Sequence, residues 1–124
     1  MKFYSKILFC ALLATTNCSI LMAAGPLPLK PNMVIRTSVQ IKKGTYQLNA
    51  SDSLPVPLIR IEGNNITVDF NKAVLHGSNN KQLPNEFYGL AILVKGNNIT
   101  IKNAIVNGYK VAIMAQGCKN LKID

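Results

Sequence analysis

Beyond the first 24 residues, the side chains best suited to chemistry are five acids, one histidine and one cysteine. The acids are Asp52, Glu62, Asp69, Glu86 and Asp124. Acid-base hydrolysis needs two carboxylates held close together, and a hard cation such as calcium needs several oxygen ligands. No two of these acids lie within six residues of each other in sequence. Any pair would have to be assembled by the fold, and Asp69, which could meet an acid from a neighbouring unit, is expected beside Lys102 instead. His76 is the only histidine, which excludes a multi-histidine metal site within one chain. In His76-Gly77 it marks a turn. Cys118, beside Gly117, could be a reactive thiol or an intermolecular bridge. It is expected as a small residue packed at a corner. No catalytic residue is assigned, and neither a metal nor a cofactor is expected.

The elements that position these residues come from a repeat. Gly63-Asn64-Asn65-Ile66-Thr67-Val68 recurs as Gly96-Asn97-Asn98-Ile99-Thr100-Ile101. A looser copy follows at Gly117-Cys118-Lys119-Asn120-Leu121-Lys122-Ile123. Asn65 and Asn98 are 33 residues apart, and Asn98 and Asn120 are 22 apart. A unit near 22 residues leaves an 11-residue insertion, placed at about 78–88, where the sequence is polar and carries Pro84. Aligned units give apolar columns: Ile59, Ile92 and Ile113; Ile61, Val94 and Ala115; Ile66, Ile99 and Leu121; Val68, Ile101 and Ile123. Apolar and polar residues alternate, as in strands with one buried face. Glycine or asparagine at each turn supplies left-handed backbone. Such units stack rather than fold around one central core. The predicted fold is all-β, a right-handed parallel β-helix (a solenoid) of about three to four rungs, preceded by a signal-peptide helix. Asn65-Ile66-Thr67 and Asn98-Ile99-Thr100 are formal glycosylation acceptors. Their recurrence at one place in the unit favours an amide ladder along the stack. Glu62 is expected beside Lys95, and Asp69 beside Lys102 beside Asp124.

Residues 34–124 resemble the N-terminal end of the pectate-lyase-like superfamily of right-handed β-helix proteins. The opening Val39-Gln40-Ile41-Lys42-Lys43-Gly44-Thr45-Tyr46 is similar to that superfamily's first strand and turn. Gly108-Tyr109-Lys110-Val111-Ala112-Ile113 is similar to a joint between its rungs. The resemblance specifies fold and leaves activity open, since the superfamily holds lyases, hydrolases, epimerases, phage tailspikes and non-enzymatic accessory proteins. The acids here do not form the Asp-Asp or Asn-Thr-Asp pattern of its polygalacturonases. The resemblance implies a carbohydrate-associated role, with Arg60 and Lys95 as candidate glycan contacts on one outward flank. Solvated surface charge is the alternative for both.

The opening residues set the compartment. Lys2 and Lys6 precede apolar runs at 7–14 and 20–24, and small residues lead into Pro26. Residues 1–24 therefore read as a secretory signal peptide, and 25–33 as a Pro-rich linker. The chain is expected to be secreted or periplasmic, with no stable membrane span after cleavage. Without the leader, Cys118 has no intramolecular disulfide partner. Fourteen Lys and Arg against five Asp and Glu give a formal net charge of +9. A basic surface attracts polyanions, here an anionic polysaccharide such as a uronate polymer or a cell-surface glycan; charge that merely keeps an open stack soluble is the equal alternative. Export and the lack of aromatic-basic interleaving argue against nucleic acid. The last strand is expected to end the sequence uncapped, which exposes edge groups. The expected explanation is an N-terminal part of a longer protein without a complete active site. End-to-end self-association is the rival. A structural or accessory module with a protein partner is the alternative function.

Overall fold

The computed structural model describes residues 25–78 and 81–124. The expected leader, 1–24, lies outside the described residues, as do Asn79 and Asn80 of the expected insertion. Among the described residues eight strands follow one another: β1 (Met33–Ile35), β2 (Val39–Gln40), β3 (Thr45–Gln47), β4 (Ile59–Asp69), β5 (Val74–His76), β6 (Leu90–Lys102), β7 (Ile105–Asn107) and β8 (Val111–Ile123). Among the described residues there is no α-helix, only a single 3-10 turn at Pro84–Glu86. One sheet runs β1-β4-β6-β8, with β2 also on β4, and the other runs β3-β5-β7. Every pairing is parallel.

The chain passes from one sheet to the other and back, and arrives one strand further along each time. Parallel strands are usually joined by crossovers of a dozen residues or more, often helical. Here residues 70–73 join β4 to β5, and 103–104 join β6 to β7. The return connections are 48–58, 77–89 and 108–110. This all-β arrangement of in-register parallel sheets is compatible with a β-solenoid. Within 25–33, expected as a linker, Leu27 forms a parallel bridge with Ile41 and Leu29 is buried.

The aligned columns are the observed register. Ile59, Ile61, Ile66 and Val68 of β4 face Ile92, Val94, Ile99 and Ile101 of β6. All eight are at most 1% exposed. Removing each such side chain from water contributes roughly 1.5–3 kcal/mol, which makes this inward face the main apolar stabilisation of the stack. Phe70, Leu75 and Ile41 close the interior from the turns and the smaller sheet.

Between the two halves of β4 and β6 the ladder passes from Asn64↔Asn97 to Ile66↔Ile99. The skipped residues, Asn65 and Asn98, both have φ of 58°. Asparagine tolerates this left-handed conformation better than most residues. Asn98 Nδ2 donates to Asn65 Oδ1 at 2.6 Å, and the Asn97 backbone N–H donates to Asn64 Oδ1 at 3.1 Å. Side chains thus replace ladder bonds where the backbone turns away. Gly96 is required by close approach: a Cβ there would lie 1.7 Å from the Gly63 carbonyl oxygen.

In β8 the ladder shifts by one residue between Lys95↔Gln116 and Asn97↔Lys119. This bulge explains why Ile92 and Ile113 are 21 residues apart while Ile99 and Leu121 are 22 apart. Gly117, at φ 59°, sits in the bulge, as expected for a residue that must adopt left-handed backbone.

Candidate functional site

The strand pleat sends Arg60, Glu62 and Lys95 to the outward face, because their neighbours Ile59, Ile61 and Val94 point into the core. Glu62 and Lys95 are register partners on β4 and β6, as expected, and Arg60 lies opposite Leu93. Register does not decide the ion pairs, however. Glu62 receives Arg36 Nη2 at 3.3 Å and Arg60 Nη1 at 3.7 Å. Two guanidiniums on one carboxylate leave a local positive surplus, and Lys95 beside them forms no ion pair among the described residues. Exposed pairs of this kind contribute little to stability, about 0–1 kcal/mol each. Arg60 on β4 and Lys95 on β6 therefore present cations toward solvent near the middle of the larger sheet, and Arg36 does so just after its end strand β1. Arg36 was not singled out by the sequence, because it lies outside the repeated units, just after β1.

A second basic feature lies at the corner where the chain leaves the larger sheet. Residues 41–44 and 70–73 form turns of equal length between paired strands, since Gln40 pairs with Asp69 and Thr45 with Val74. Equal length gives Lys43 and Lys72 the same place in the sequence of successive turns, although only the second turn holds left-handed residues, Asn71 and Lys72. Lys42 adjoins them, and Lys102 is the register partner of Asp69 at the same corner. Lys42, Lys43 and Lys72 are exposed. Lys72 has φ of 62°, a conformation rare for a long side chain. The signal for this site was the pair of equal turns, visible only once the strands on both sides are aligned.

The expected alternation of Asp69, Lys102 and Asp124 holds in position but not as a chain of ion pairs. Asp69 Oδ1 accepts from the Asn71 N–H at 2.8 Å and from Asn103 Nδ2 at 2.9 Å. The Asn103 bond, then the Asn71 bond, with Lys102 nearby, hold its carboxyl below the usual carboxylate range. Asp124 instead pairs with Lys122 of its own strand at 3.3 Å. Hydrogen bonds from Asn71 and Asn103, rather than an ion pair with a lysine, satisfy Asp69.

The remaining chemistry-bearing residues are separated. Asp52 lies in the 48–58 connection, and Glu86, in the 3-10 turn, accepts from the Leu83 N–H at 3.4 Å. His76 Nδ1 is hydrogen-bonded to Asn107 Oδ1 in the next strand. Cys118 is half-buried, packs against the core, and donates to the Val94 carbonyl at 3.2 Å. Tyr109 lies over Gly77, where a Cβ would come within 2.3 Å of its ring, and its hydroxyl donates to the Leu48 carbonyl at 2.6 Å. Burial raises the Tyr109 phenol well above its ordinary range. Among the described residues no three His, Cys, Asp or Glu side chains are grouped to hold a metal, and no pocket is formed.

What this arrangement can do chemically is present separate cations to solvent, Arg36, Arg60 and Lys95 about the larger sheet and Lys42, Lys43 and Lys72 at the corner. Compared with models of protein families, with curated proteins and with solved structures, the chain matches none.

Proposed function

We propose that this chain is an exported right-handed parallel β-helix, of the pectate-lyase-like kind its repeat resembles, that binds anionic polysaccharide without acting on it. One observation supports this most: cations outnumber acids on the outward face, and its acids are already engaged. Glu62 holds Arg36 and Arg60, and Asp69 is held by Asn71 and Asn103. A carboxylate occupied in this way is a poor general base, whereas the guanidiniums and lysines beside it remain open to a polyanion.

The test is retention of the purified chain on immobilised polygalacturonate or alginate. Binding is expected at low salt and lost by about 0.5 M, where charges separated by more than about 4 Å are screened. Passage through the column at low salt would end the proposal. Turnover of either polymer, with or without calcium, would end the non-catalytic part of it.

A second reading is an accessory module with a protein partner. The exposure of Val56, Leu83 and Tyr88 favours it. These residues lie on the connections 48–58 and 77–89, which follow equivalent strands and meet where Gly89 approaches Ala50. Co-purification of a protein, with no retention on uronate polymers, would select this reading.

A further inference from the structure

We infer that the contact strip for the polyanion is the lysine corner formed by residues 41–44 and 70–73 with Lys102 beside them, rather than the sheet face that carries Arg60 and Lys95. This rests on the polysaccharide-binding proposal and assigns its site. Along the ladder of the larger sheet, charged residues stack on opposite charges or on neutral ones. Glu62 meets Lys95, Asp69 meets Lys102, Asn97 meets Lys119 and Thr100 meets Lys122. The corner breaks this pattern. Lys43 and Lys72 each hold the third place in a four-residue connection between paired strands, which brings like charges to one corner. Like charges brought close together repel.

Lys72 adds a second cost at the same place. Its φ of 62° is one that glycine or asparagine would adopt with less strain, and the adjacent Asn71 already sits at 54°. Asparagine occupies the left-handed positions elsewhere in the stack, at Asn65, Asn98, Asn103 and Asn120. A lysine at this backbone position is therefore not what stacking selects. Local rules broken together at one exposed place point to use rather than to architecture.

The ligand chemistry follows from the geometry. Among the described residues, Lys42, Lys43, Lys72 and Lys102 form no ion pair. The nearby acid, Asp69, is held by Asn71 and Asn103. Lysine is a point charge on a flexible stem, suited to following carboxylates spaced along a polymer rather than to gripping one of them bidentately. The corner runs along the direction of stacking, with neighbouring turns about 4.8 Å apart. A linear chain bearing one carboxylate per sugar would thus lie along the stack and place successive charges near successive turns. Its carboxylates would offset the repulsion between Lys43 and Lys72.

The test compares K43Q/K72Q and R60Q/K95Q with the unchanged chain, using polygalacturonate binding against salt and thermal unfolding. K43Q/K72Q is expected to bind about tenfold more weakly, with a shallower salt dependence and an unchanged or higher melting temperature. R60Q/K95Q is expected to change binding less than threefold. Loss of binding in R60Q/K95Q alone would overturn the corner while leaving the polysaccharide proposal intact. Failure of the unchanged chain to bind would overturn both. Single-stranded DNA bound more tightly than polygalacturonate would overturn the choice of partner. The variant K72N separates strain from use: it should melt higher and bind more weakly, and unchanged binding would reduce Lys72 to a tolerated turn residue.

Discussion

Strands β6 and β8 carry the same pattern and live in different surroundings. Ile92, Val94 and Ile101 of β6 are fully buried, whereas their partners Ile113, Ala115 and Ile123 of β8 are partly or fully exposed, Ile123 at 54%. The side chains in each column are alike, so pattern alone does not set burial. What differs is that β6 has a paired strand on either side, β4 and β8, while among the described residues β8 is paired on one side. A stacked fold draws its stability from neighbours on both sides. The same residue type should then be worth several times more in one strand than in the other.

The glycines offer the sharpest way to break that comparison. In β6, a Cβ at Gly96 would meet the Gly63 carbonyl oxygen at 1.7 Å, and the φ of 126° is itself unfavourable for alanine. In β8, a Cβ at Gly117 would meet nothing within 4 Å, and only its φ of 59° resists. Gly96→Ala is expected to cost more than about 3 kcal/mol, since backbone must move, and Gly117→Ala about 1 kcal/mol. Equal losses in urea or thermal unfolding would mean that β8 is as constrained as β6.

The columns give a smaller contrast. Ile101→Ala empties a site with no exposure and should cost about 2–5 kcal/mol. Ile123→Ala, at the paired position in β8, removes a side chain already half in water and should cost less than about 1 kcal/mol. Paired chemical denaturation midpoints measure the ratio. A ratio near one would show that β8 is covered in solution.

Much of this architecture was legible in the sequence, because the repeat makes register a matter of alignment. The predicted columns are the observed partners, and Asn65, Asn98 and Asn120 have left-handed φ values within one degree of each other. The bulge at Gly117 was also present, as a one-residue mismatch between two columns. What stayed hidden depends on side-chain choice or on distant contacts. The strand pleat shows that Glu62 lies beside Lys95, but not that Arg36 and Arg60 reach it. Tyr109 finds the Leu48 carbonyl 61 residues away, and nothing local announces that bond. The lysine corner escaped notice because Lys43 belongs to the opening strands, which have no copy in the repeat.

The smallest predicted effect separates the two strands flanking β6 by their terminal acids. Asp69 closes β4 and accepts two hydrogen bonds, from Asn71 and Asn103. Asp124 follows β8 and has Lys122 at 3.3 Å, with its side chain half exposed. Both bonds to Asp69 favour its charged form, so its folded pKa lies below the unfolded value. A group depressed in this way stabilises the fold above its unfolded pKa, near 4, and that contribution fades as the pH falls through the lower folded value. Stability should therefore decline below about pH 4, and Asp69→Asn should flatten that decline. Asp69 stands at the surface, where water screens its interactions, so the change belongs in the slope against pH rather than in stability at neutral pH. Thermal unfolding of the unchanged chain, D69N and D124N between pH 2.5 and 6 would show it. If D124N flattens the acid limb as much as D69N does, the two strand ends are equivalent, and the hydrogen bonds that distinguish Asp69 have no part in acid sensitivity.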